Sequence, residues 1–383
     1  MIVNKGYFDN AATTLMKPQG MYQFVADYMQ NYGANASRGN YATAKSAGKI
    51  IRETRDLLLD LVNAPKTKEV VFTPSATIAI NTILSGQALN EGDVVYISPF
   101  EHNAVIRTLI ALQKNNHFEI EYLKLKNDVI DYDLDLINRQ FSNKPPRLLI
   151  ISHVSNVLGL IAPVEEIAKL SKNFNATVII DAAQSCGNID ITVGNFIDYY
   201  IFAGHKTLLA PFGIAGFICN KNSSLPPFIY GGTGIDSASS LMPSTIPERF
   251  EAGSMNIMAI AGLNYSLNWI KDNLSFIKKM ERDNFARLKS ILIKYNFIKI
   301  IEPVGQCTSI ISCKFDGLTS DEAGRILSSR GISVRTGLHC APLAHKYLNS
   351  FPEGLVRFSI SCFTNDEDFI ILEEVLDDVA DEL

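Results

Sequence analysis

The chain has 383 residues, 47% hydrophobic and 20% charged, with a formal net charge of −5. That length can bury one large core and a second, smaller one. The acidic balance, without a long Lys/Arg run, argues against nucleic-acid and anionic-membrane binding but is compatible with a local basic pocket for a phosphate. No apolar run approaches the ~18 residues of a membrane span, and Met1 to Asn10 carry no apolar targeting core, so a cytoplasmic location is expected. The six cysteines (Cys186, Cys219, Cys307, Cys313, Cys340, Cys362) show neither a CxxC pair nor a Cys/His zinc spacing. No metal centre is expected, and most of these thiols should be reduced and buried.

In chain order, apolar β-rich runs fall at Val70–Thr73, Val94–Ser98, Ile120–Leu123, Arg147–Ser152, Thr177–Ile180, Tyr199–Phe202 and Ile214–Cys219. Helical patterns lie among them at about Lys45–Val62, Thr77–Ala88, Asn103–Lys114 and Val164–Asn173. Near-continuous apolar strands alternating with helices predict an α/β fold, a mostly parallel sheet covered on both faces. From about Ala259 the texture changes to a long helix reaching Ile293, with a break expected near Asp272-Asn273. Strands at Thr308–Phe315, Ile332–Arg335 and Leu355–Ile360, a helix at Asp321–Ser329 and a terminal helix from Asp366 predict a smaller α+β domain. The expected division is 15–258 for the large domain and 259–383, with 1–14, for the small one.

Chemistry concentrates at strand ends. Lys206 follows the apolar run Tyr199–Phe202, and Asp181 closes the run Thr177–Ile180. An acid directly after four apolar residues is costly unless it is paired or functional. A lysine and an acid at neighbouring strand ends are what pyridoxal 5'-phosphate requires: the lysine forms a Schiff base with the aldehyde, and the acid keeps the pyridine nitrogen protonated. Ser75-Ala76-Thr77 turns from a strand into a helix and reads either as a phosphate cradle or as a plain N-cap. His102 either stacks on the cofactor ring or bonds the backbone at a helix start. Asn156 either reaches the cofactor's phenolic oxygen or serves turn chemistry with Gly159. Gln184 is placed to reach the same oxygen, and His205 to contact the phosphate or steer Lys206.

Ten short motifs in order now carry a resemblance. Among them are Tyr7-Phe-Asp-Asn-Ala-Ala-Thr-Thr14, Asn35-x-x-Arg38-Gly39, Glu101-His102, Ser155-Asn156-Val-x-Gly159 and Asp181-Ala-Ala-Gln184. Gly204-His205-Lys206, Arg249-Phe-Glu-Ala-Gly-Ser254, Arg335-Thr-Gly-x-His-Cys340-Ala and Val356-Arg357-x-Ser359 continue the series. Together they resemble the NifS/SufS-type cysteine desulfurases of the class V aminotransferase family, fold-type I pyridoxal phosphate enzymes. The resemblance implies a homodimer in which Ser254 reaches the neighbouring subunit's phosphate. It also implies that Arg357 clamps the substrate carboxylate, that Asn156 assists substrate and cofactor, and that Arg335 sits on a mobile loop before the nucleophile.

Cys340 would be that nucleophile, in a Gly/Pro-containing loop with cationic neighbours that should lower a thiol pKa. The implied reaction takes L-cysteine, with Lys206 removing the Cα proton and the Cys340 thiolate attacking the substrate sulfur. L-alanine leaves, and a protein or thiol acceptor collects the persulfide sulfur, as in iron–sulfur cluster assembly. Several positions depart from the usual pattern: Ala203 for a serine, Ser37 and Tyr41 for histidines, Met255 for a proline, Ile78 for a glutamate, and Phe363-Thr364-Asn365 near the end. These leave L-selenocysteine as an alternative substrate, and another class V aminotransferase or β-lyase reaction as an alternative chemistry.

Overall fold

Two sheets organise the chain, seen in a computed structural model that describes residues 5–36, 39–127, 129–235 and 237–382. The larger contains β1 (Lys68–Thr73), β2 (Val94–Ile97), β3 (Glu119–Tyr122), β4 (Leu148–Ser152), β5 (Thr177–Asp181), β6 (Tyr199–Ala203) and β7 (Ala215–Asn220). Their order is β1-β7-β6-β5-β4-β2-β3; β2 to β6 run parallel, while β7 is antiparallel to both neighbours. The expected mostly parallel seven-stranded sheet is therefore present.

Alternation along each strand explains its two covered faces. Leu149, Ile151, Val178, Ile180, Tyr200 and Phe202 enter one apolar cluster, while Leu148, Ile150, Ile179, Tyr199 and Ile201 enter another. Helices α2 (Ala42–Leu61), α5 (Leu134–Asn143) and α6 (Val164–Lys172) pack on the first face; α3 (Ala76–Ser85) and α4 (Asn103–Asn116) pack on the second. Truncating a fully buried residue such as Ile151 to alanine costs about 2–5 kcal/mol. At the free edge, β3 carries Glu119 and Glu121, both paired with Lys144, which blunts it against further pairing.

The long helix α7 (Ile257–Leu292) leaves helical geometry at Asn273, where the break was expected. Its first half joins the first apolar cluster, and Leu288, Ile291 and Leu292 join a third. That third cluster lies on a four-stranded antiparallel sheet, β10-β11-β9-β8, formed by β8 (Ile298–Ile300), β9 (Ile310–Phe315), β10 (Arg335–Gly337) and β11 (Leu355–Ser359). Helices α8 (Ser320–Ser329) and α10 (Asp366–Glu382) supply Leu327, Phe369 and Leu372 to it. Phe8 is buried in the same cluster, and Tyr7 and Asp9 bridge to Ser333 and Ser359. Because α7 spans residues 258 and 259, the division there stays a proposal.

Four elements escape the sequence reading: α1 (Met21–Tyr32), α5, β8 and the short α9 (Pro342–Tyr347). The strand expected at Ile332–Arg335 lies instead at Arg335–Gly337, because pairing of Arg335 with Arg357 sets its register and Ile332 turns into the core.

Candidate active site

Adjacent parallel strands bring the acid and the lysine together. Asp181 ends β5 beside Ile201 of β6, and Lys206 follows β6 after a turn. That turn needs Gly204, where a Cβ would stand 2.6 Å from the Ile214 carbonyl oxygen. It is tied down by Thr14, whose N–H donates to the His205 carbonyl (3.1 Å) and whose hydroxyl donates to the Lys206 carbonyl (3.0 Å).

Asp181 and Lys206 face a cavity of about 500 Å³, with Ala76, Thr77, His102, Asn156, Gln184, His205, Arg335, Cys340 and Arg357 also in its lining. All the expected site residues but one meet here. The exception is Ser254, exposed on a separate groove of about 1460 Å³. Arg38, part of a quoted motif, lies outside the described residues.

Of the two readings left open for His102, the structure shows the bond to the backbone at a helix start. Its Nδ1 accepts from the Ala104 N–H (3.0 Å), capping α4, and the ring still lines the cavity. A neutral ring with an accepting Nδ1 carries its proton on Nε2. Buried Glu101 fixes this corner, accepting from Ser98 Oγ (2.5 Å), the Ser152 N–H (2.8 Å) and Ser152 Oγ (2.8 Å). At α3 the capping is done by Ser75, whose Oγ accepts from the Ile78 N–H. The first-turn amides of Ala76 and Thr77 have no partner inside the helix, which makes them donors for an anion.

Asn156 is spent on the opposite wall: its Nδ2 donates to the His339 carbonyl (2.7 Å), and its own carbonyl accepts from Arg357 Nη1 (2.9 Å). The turn behind it needs Gly159, at φ +68, where a Cβ would meet the Thr308 carbonyl at 2.4 Å. Gln184 Nε2 donates to the Ala11 carbonyl (2.8 Å). Arg357, expected to clamp the substrate carboxylate, is paired with Asp9 at 2.9 Å, and Arg335, expected on a loop, begins β10.

Burial dominates the electrostatics. It pushes the Lys206 amine down to about 8, with Asp181 opposing and Arg357 adding to the shift. His102 is lowered by burial and then by Lys206, and His205 falls to about 4 for the same two reasons plus Lys17. These imidazoles are therefore neutral at pH 7. Glu101 is pushed up to about 7 by burial, against its three hydrogen bonds.

Cys340 stands apart from the other thiols. It is exposed, whereas Cys186, Cys219, Cys313 and Cys362 are buried and Cys307 is half-buried. Burial raises Cys186 and Cys219 to about 12 and Cys307 to about 11. The turn presenting Cys340 is unusual: His339 (φ 50) and Cys340 (φ 57) are both left-handed. The Asn103 N–H donates to the Cys340 carbonyl (2.6 Å), tying the turn to the start of α4, next to His102.

These residues fit pyridoxal phosphate. The amine and the carboxylate sit at neighbouring strand ends, a helix start offers amides to an anion, and a flat imidazole lines the same cavity. Asp9, Glu101 and His339 received no role from the sequence. Asp9 and His339 line the cavity, and Glu101 braces it. Only their place inside recognised motifs could have drawn attention to them.

Fold and site together define a fold-type I α/β enzyme framework. The chain belongs to the class V aminotransferase family, whose sequence model matches residues 6–372, and within it to the NifS/SufS-type cysteine desulfurase group. A cysteine desulfurase of Wigglesworthia glossinidia brevipalpis is 31% identical over 380 residues, covering 94% of this chain and 89% of its own length. A probable cysteine desulfurase of Pyrococcus abyssi is 30% identical over 387 residues, 98% of this chain and 94% of its own. Among solved structures, the apo cysteine desulfurase of Thermococcus onnurineus NA1 superposes with a TM-score of 0.90 at 27% identity, covering 99% of this chain and 95% of that one.

Proposed function

We propose that this chain is a pyridoxal 5'-phosphate-dependent cysteine desulfurase that converts L-cysteine to L-alanine and carries the sulfur as a persulfide on Cys340. The observation that carries this reading is one cavity lined by the Lys206–Asp181 pair and, on its opposite wall, by an exposed cysteine. When bound, the cofactor supplies an aldehyde for the substrate amine and an electron-withdrawing ring.

The protein's own groups do the rest. Asp181 would hold the ring nitrogen, the Ala76 and Thr77 amides the phosphate, and Gln184 and His205 would support the group from the sides. His102 would stack on it and hold a proton at Nε2. Lys206, with its amine near 8, has a usable free-base fraction at neutral pH and would take the Cα proton. Arg357 would hold the substrate carboxylate, with Arg335 and Asn156 beside it. The Cys340 thiolate attacks the substrate sulfur and the Cβ–S bond breaks. Protonation of the remaining carbon skeleton and its release yield alanine.

The proposal extends to a homodimer. Ser254 lies outside its own chain's cavity, which suits service to the phosphate of a neighbouring subunit. The acceptor would be a thiol or a sulfur-carrying protein of the kind used in iron–sulfur cluster assembly. Among the described residues no helix is long and apolar enough to cross a membrane, and the cytoplasmic placement stays within this proposal. The test is alanine and sulfide release from L-cysteine by the cofactor-loaded protein, which Cys340→Ala should abolish; full turnover by that variant would contradict the persulfide step.

A further inference from the structure

The cavity contains more positive charge than one amino-acid carboxylate requires, and the chain itself supplies the correction. The Asp9 carboxylate lies between two guanidinium groups: Arg357 Nη2 donates to Oδ1 at 2.9 Å, and Arg335 Nη1 stands 3.7 Å from Oδ2. The two arginines differ in freedom. The Arg357 side chain is 3% exposed and fixed by the Asn156 carbonyl, whereas that of Arg335 is 48% exposed and stands five residues before Cys340.

Asp9 is a built part of the wall rather than a loose surface acid. Its backbone bridges to Ser359, next but one to Arg357 on β11. Its carbonyl accepts from the Ala12 N–H (3.1 Å) and from the Tyr7 hydroxyl (3.2 Å). All three charged groups line the same cavity.

Two guanidinium groups against one carboxylate leave a single positive charge for an incoming ligand. A substrate with one carboxylate balances it. A second acid on the substrate side chain, extending toward Cys340, would find the remaining positive charge already balanced, because Asp9 is shared between both arginines, and Asp9 itself would repel it. We propose that Asp9 is a specificity-determining residue, which shares its charge between Arg357 and Arg335 and so restricts the cavity to amino acids without a second acid on the side chain. This deepens the proposed function and rests on its placing of the substrate carboxylate at Arg357.

The test measures binding of propionate and succinate to the cofactor-loaded protein by calorimetry; neither ligand has an amine, so neither reacts. The wild type should bind succinate no more tightly than propionate. Asp9→Asn should raise the succinate-to-propionate affinity ratio about tenfold or more, and Asp9→Glu should leave the ratio as in the wild type. Adding Arg335→Gln to Asp9→Asn should return the ratio to the wild-type value. A ratio unchanged in folded Asp9→Asn overturns the proposal. Arg335→Gln alone provides an independent arm: with Asp9 left fully pairing Arg357, propionate affinity should fall about tenfold, and an unchanged affinity also overturns it. Failure of the parent reading has a different signature, a wild type that makes no alanine from L-cysteine.

Discussion

The two walls of the cavity are built from opposite materials. One is the rim of the parallel sheet, where Asp181 ends β5, Lys206 follows β6 and His102 caps α4, and where burial lowers the pKa values of Lys206 and His102. The other is the turn between β10 and α9, attached to the small antiparallel sheet, with two left-handed residues and an exposed thiol. Proton handling benefits from a dry, rigid frame that moves pKa values toward neutrality. Sulfur delivery needs the reverse, a sulfur that another molecule can touch. The hydrogen bonds of Asn156 and Asn103 to the His339 and Cys340 carbonyls hold the two walls in one register.

Substitutions that separate the walls should separate the functions. Lys206→Ala should lower alanine formation from L-cysteine by about 10³-fold or more, measured under single-turnover conditions. Cys340→Ser should lower sulfide release by about 10²–10³-fold while leaving cofactor retention unchanged, checked by absorbance of the desalted protein. Arg357→Lys should raise KM for L-cysteine by about 10–100-fold with a smaller change in kcat, since an ammonium cannot replace a bidentate fork. If instead all three variants lost cofactor and activity together, the division of labour between the walls would be wrong.

A pH series sharpens the comparison at smaller amplitude. Lys206 titrates near 8, below its ordinary range, so its free-base fraction falls about tenfold per pH unit beneath that value. The rate at which the protein captures added cofactor should rise with pH to about 8 and then level. A flat profile between pH 6 and 8 would show that the amine is not held as the buried site implies. Gly159→Ala tests the structural side, with an expected loss of about 1–3 kcal/mol in denaturant unfolding from strain at a positive φ.

Most of the large sheet was legible because its strands are short, continuous apolar runs that alternate with helical patterns. Strand direction was less so. Only 11 residues separate β6 from β7, too few for a crossover helix, and that spacing foretells the antiparallel pairing. The missed α5 carries its own signal, Asp133 capping the Leu136 N–H ahead of buried Ile137 and Phe141. α1 is harder to see, since Gly20 starts it in left-handed geometry without a side-chain cap and most of its faces are exposed. Lys206 and Asp181 declared themselves through polar groups at apolar strand ends. Asp9 did not, because its meaning depends on two arginines more than 300 residues away, brought to it by the pairing of β10 with β11 and the docking of the N-terminal segment.

The central claim is that Lys206 and Asp181 grip one pyridine ring from its two sides. The most direct measurement is borohydride reduction of the protein loaded with pyridoxal phosphate, followed by peptide mass mapping in the wild type and in Asp181→Ala. The account predicts a single reduced adduct on Lys206, with the variant retaining the lysine but binding cofactor far more weakly. An adduct on another lysine, or undiminished cofactor affinity in Asp181→Ala, would contradict it.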